Sequence, residues 1–129
     1  YPRTEAAKGL PKLATIVDNP NDIYVLIKKL SIDEKVPAIR YIAISHILNL
    51  FKINPNFVWD VLSEVINNEE IPTILYAACK NVGNIFRFDE KKAENLLDII
   101  FIKTIQSGLI NHSNPYYAII VSFSILNTG

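Results

Sequence analysis

The chain has 129 residues, half of them hydrophobic and a fifth charged, and its formal net charge is zero. That is one domain's worth of sequence with enough apolar matter for a continuous core, which excludes a disordered chain. The absence of a basic excess disfavours nucleic acid as the main partner, and a single cysteine excludes both an internal disulfide and a Cys-rich metal centre, pointing to a reducing, cytoplasmic setting.

Hydrophobic periodicity predicts helices near residues 4–17, 21–31, 36–52, 56–67, 72–87, 90–106 and 115–127, and no strand. In the first, Pro11 should force a kink or a break, because proline lacks the N–H that an interior helical position donates. In the third, Ile39, Ala43, Ile47 and Leu50 form one apolar stripe. Phe57, Val58, Val61, Leu62, Val65 and Ile66 form the stripe of the fourth. Pro37, Pro55, Pro72 and Pro115 stand at helix starts, where a missing N–H costs nothing. Asn54, Asp89 and Asn114 are the matching cap residues. The apolar run Tyr116–Leu126 is too short to span a bilayer.

The third and fifth helices are written in nearly the same words. Residues 35 apart correspond: Pro37 with Pro72, Ile39 with Ile74, Tyr41 with Tyr76, Ala43 with Ala78, Asn49 with Asn84, and Lys52 with Arg87. Val61, Leu62 and Val65 extend the match to Leu96, Leu97 and Ile100. A third copy begins at Pro115, and a weaker one places Arg3, Ala6 and Leu10 against Arg40, Ala43 and Ile47. Such self-similarity signals stacked helix pairs, each unable to bury its apolar faces alone.

The segment Ile39–Ile47, "IRYIAISHI", resembles the second-helix pattern of HEAT repeats, and "ILYAACKNV" from Ile74 is similar but has Leu75 in place of the arginine. Ala78, Val82, Asn84 and Ile85 also resemble the last helix of armadillo repeats, with Ser45, Lys80 and Phe123 where that family often carries tryptophan. The resemblance spans residues 21–127 and implies an all-α fold: a HEAT-like α-solenoid of about three stacked antiparallel helix pairs. Residues 1–129 then read as a single helical-repeat domain. The missing methionine and the apolar helix just before the C-terminal "NTG" lead to the expectation of a piece of a longer solenoid or multidomain protein. Its last helix should pack on a further neighbour or drive self-association.

Catalytic chemistry finds few residues. His46, Cys79 and His112 form no pattern with an orienting third group. No glycine-rich phosphate loop, cofactor motif or metal-ligand spacing occurs. The pairs Asp60/Glu64 and Glu90/Glu94 read as solvated helix faces. Trp59 aligns with Glu94, outside the strict core stripe, and reads as an exposed interface anchor, or else as a residue that covers a loop or packs on a further part of the chain.

A second stripe remains. Tyr41, Ser45, Asn49 and Lys52 lie about 200° around the helix from the core stripe at ~100° per residue. Tyr76, Lys80, Asn84 and Arg87 repeat it, and Ile119, Phe123 and Asn127 continue it. On the concave face of a solenoid these would form parallel ladders able to bond a protein or peptide backbone, which includes the rest of its own chain. The expected function is therefore a non-enzymatic interaction scaffold. The alternatives are a nucleic-acid-binding or base-modifying HEAT-like protein using the basic stripe of Arg40, Lys52, Lys80 and Arg87, or the regulatory repeat region of a larger enzyme.

Overall fold

Asn54 and Asp89 act as the expected caps, while the expected cap at Asn114 lies outside the described residues. The Asn54 side chain accepts the Phe57 N–H at 3.2 Å, with Pro55 at the first helical position. Asp89 accepts the Lys92 N–H at 3.1 Å. The computed structural model describes residues 2–106. They form six α-helices: α1 (Pro2–Ala14), α2 (Asn21–Lys28), α3 (Pro37–His46), α4 (Pro55–Asn68), α5 (Pro72–Ile85) and α6 (Glu90–Gln106). No strand occurs among the described residues. The helix expected over 115–127, with its possible self-association, lies outside them.

Helix ends depart from the sequence reading in informative ways. α1 is not broken at Pro11; the ring is buried and the helix runs through it. It survives by only one turn, closing at Ala14 with tight bonds from Thr15 N–H to the Lys12 carbonyl and from Ile16 N–H to the Leu13 carbonyl, each 3.1 Å. α2 widens into a π-helical turn at Lys29–Asp33, where the Glu34 N–H reaches back to the Lys29 carbonyl at 2.9 Å. Inside that turn the buried Ser31 hydroxyl donates to the Ile27 carbonyl at 2.8 Å, a local bond that competes with the helical ladder. α3 tightens into a 3-10 turn at Ile47–Leu50, and α5 into one at Phe86–Phe88.

Odd-numbered helices are neighbours in sequence order, with α3 packed between α1 and α5. On the other side α4 packs against α6 and the π-helical turn that follows α2. The predicted core stripes are all buried: Ile39, Ala43, Ile47 and Leu50 in α3 and its 3-10 turn, and Ile74, Ala78, Val82 and Ile85 in α5. Ala43 clusters with Ala7 of α1 and Ile39. These small residues mark close helix approaches, so Ala78→Leu should overpack the site and cost about 1–3 kcal/mol in a urea unfolding titration. An unchanged midpoint would place Ala78 outside the core.

Trp59 is a correction. It is 5% exposed, and its ring meets Phe51 edge-on at 6.3 Å. Phe51 in turn touches Phe88 at 5.1 Å. The indole is therefore core rather than an exposed anchor.

The loops before α3 and α5 carry the same device. Arg3 of α1 pairs with Glu34 at 2.7 Å, and Arg40 of α3 pairs with Glu69 through two bonds, Nε to Oε1 at 2.8 Å and Nη2 to Oε2 at 3.2 Å. Glu34 and Glu69 are 35 residues apart, and each also accepts the N–H two residues on, that of Val36 or Ile71. Arg40 Nη1 donates to the Glu34 carbonyl at 2.6 Å, and Lys103 Nζ to the Glu69 carbonyl at 2.9 Å, so the straps join into one line across both loops. Burial of Glu69 opposes its ionisation. Hydrogen bonds from Arg40 and from the Ile71 and Glu70 N–H groups, with the Arg40 charge, outweigh burial and hold the carboxyl below its ordinary range. Thirty-five residues after Arg40 and Glu69 stand Leu75 and Thr104, both buried and neither charged.

Candidate functional site

α3 and α5 run side by side in the same direction, because the residues that share each hollow between them ascend together. At the N-terminal end a hollow of about 530 Å³ lies among Pro37, Ala38, Tyr41, Ile42, Thr73 and Tyr76. Tyr41 and Tyr76 are also shared with a second hollow of about 370 Å³, which continues past Ser45, Lys80, Asn81 and Asn84. The two form one groove with the repeated tyrosines at its middle.

The predicted ladder therefore divides. Tyr41, Ser45, Tyr76, Lys80 and Asn84 line the groove together. Asn49 and Lys52 are exposed but do not line it, because the helix tightens to 3-10 winding from Ile47 onward and shifts their phase. Arg87 is exposed in its own 3-10 turn, with its guanidinium over the Phe88 ring at 4.8 Å. The Ser45 hydroxyl donates to the Tyr41 carbonyl at 2.7 Å, which leaves its oxygen as an acceptor. Ile119, Phe123 and Asn127 lie outside the described residues. Arg40 leaves the expected basic stripe altogether, since Glu69 holds it in the strap.

Asn81 was not singled out by sequence, yet it forms the floor of the groove. It is 7% exposed, and its Nδ2 donates to the Ile44 carbonyl at 2.7 Å, tying α5 to α3. The Ile47 N–H bonds the same carbonyl where α3 changes to 3-10 winding, so the oxygen's two lone pairs are both used. The available signal was an asparagine next to Val82 and one turn from Ala77, Ala78 and Ile85 in an apolar helix, where an unpartnered amide would be costly. Its repeat equivalent, His46, instead bonds the Ile42 carbonyl of its own helix through Nδ1 at 2.9 Å.

The cysteine and the paired carboxylates considered from the sequence do not line the groove. Cys79 is fully buried, and desolvation pushes its thiol up to about 12, so it is protonated at neutral pH. Glu64 pairs with Lys28 at 2.8 Å on the surface, while Asp60 is exposed. Among the described residues no three His, Cys, Asp or Glu side chains group as a metal site, and no helix is long and apolar enough to cross a membrane. What the groove offers is a pair of aromatic rings, one cation and several amide and hydroxyl groups. Compared with known proteins, the chain matches no family model, no curated protein and no solved structure.

Proposed function

We propose that the chain is a HEAT-like α-solenoid segment that acts as a non-enzymatic interaction scaffold and holds a protein or peptide in the groove between α3 and α5. The observation that carries this reading is the groove's construction. Repeat-equivalent residues, Tyr41 with Tyr76 and Ser45 with Lys80, meet across it. The serial contacts of α1, α3 and α5, and the recurrence of the Arg–Glu strap, support a repeated unit as its basis. The nucleic-acid reading is weakened, because one of its four cations is tied to Glu69 and only Lys80 of the remaining three lines the groove.

Once a partner is identified, combining Tyr76→Ala with Asn84→Ala should weaken its binding by about 1–3 kcal/mol. Asp98→Ala on the exposed side of α6 should leave the affinity unchanged. Isothermal titration of the three proteins decides it. Equal affinities for wild type and the groove variant would mean that the partner sits elsewhere.

A further inference from the structure

The groove is not chemically uniform along its length, and its polarity specifies a ligand. Around Pro37, Ala38, Tyr41, Ile42, Thr73 and Tyr76 the hollow carries no charge. Beyond the tyrosines, Lys80 is the one charged side chain among the described residues lining either hollow, and no carboxylate lines them. Lys52 and Arg87 stand exposed beyond the same end.

Resting on the groove reading above, we infer that the occupant is a short acidic peptide with an aromatic or proline anchor. The anchor sits between Tyr41 and Tyr76, where flat rings give contact area at little entropic cost. An acidic side chain then meets Lys80. A basic peptide would set like charge against Lys80 with no carboxylate in the groove to receive it.

The helix geometry also sets a spacing. The α3 side of the groove runs from Pro37 to Leu48, roughly 16 Å at ~1.5 Å per residue. This accommodates about five residues of extended chain at ~3.3 Å each. Tyr76 and Lys80 are one helical turn apart, about 6 Å, which is the span of about two extended residues. The ligand's acid should therefore lie two residues from its anchor. Asn84, a turn further, faces the ligand backbone with an amide that both donates and accepts.

The test is a selection of phage-displayed random twelve-residue peptides against the full chain, with winners re-measured as free peptides by fluorescence polarisation. Winners should place Asp or Glu two residues from Trp, Tyr, Phe or Pro. Tyr76→Ala and Lys80→Glu should each weaken them at least tenfold, and reselection against Lys80→Glu should return Lys or Arg at the acidic position. Lys80 is exposed, so its variant stays folded and readable even if Tyr76→Ala does not. Basic winners that still need Tyr76 would overturn the acidic ligand while leaving the groove a peptide site. Winners indifferent to both substitutions, or an empty selection, would overturn the groove reading itself. So would a twelve-nucleotide single strand that binds the groove where no peptide does.

Discussion

Arg40→Ala and Glu69→Ala should each destabilise the fold by up to about 3–5 kcal/mol, because each leaves its former partner's charge nearly buried with only backbone hydrogen bonds to offset it. The side chains are only 13% and 9% exposed, so water replaces the lost partner poorly. For a domain of this size the melting temperature should fall by more than ~10 °C. The double variant Arg40→Leu/Glu69→Thr, which copies the uncharged residues found 35 positions later, should be more stable than either alanine variant, since removing both charges also removes the cost of burying them. If the two alanine variants melt like the wild type, the strap is ornamental. The pair also predicts an acid limb. Glu69 is held below its unfolded pKa, so its contribution is fully present above the unfolded carboxylate range near ~4.3 and is lost as pH falls through the lower folded value. In Arg40→Ala this limb should shrink.

Trp59→Ala should cost about 3–5 kcal/mol, as expected for emptying a large buried site. Trp59→Phe should cost less, because it keeps a ring against Phe51. Far-ultraviolet circular dichroism under urea is the suitable readout, since Trp59 is the single tryptophan and its loss removes the tryptophan fluorescence. An exposed indole would shift the midpoint by no more than ~0.5 kcal/mol.

How far the sequence reached depends on the range of the interaction involved. Helices opened by a cap or a proline were legible because those signals act within one turn. The start of α5 fell at the expected Pro72 and that of α6 at the expected Glu90, and α4 began one residue early at Pro55. The core stripes of α3 and α5 were legible from period alone. The changes of winding at helix ends were not: the 3-10 turn after α3 and the π-helical turn after α2 accompany the bonds that Asn81 and Ser31 make to the Ile44 and Ile27 carbonyls. Trp59 was misread because alignment with Glu94 assumes equal neighbours, whereas Phe51 builds an aromatic contact over α4 that Glu94 does not share. Arg40 was assigned to a basic stripe because its partner lies 29 residues away in a loop. The clue was present in Glu34 and Glu69, which recur at the repeat period just before Pro37 and Pro72. Of the groove, the residues before the helix tightens were placed together as expected, and Asn49, Lys52 and Arg87 were lost to the change in winding.

The buried thiol gives the molecule an internal clock for its own breathing. Cys79 is the chain's single sulfhydryl, sits with no exposure in α5, and stays protonated at neutral pH. A disulfide reagent can therefore modify it only during moments when α5 parts from its neighbours and the thiol meets water. Where closing outpaces reaction, the labelling rate divided by that of a free thiol is the fraction of time spent open. Because Asn81 ties α5 to α3 two residues along the same helix, a ligand settling in the groove should slow this clock without ever touching the sulfur. Occupancy of an exposed surface would then be read from the interior, with the groove itself left unmodified.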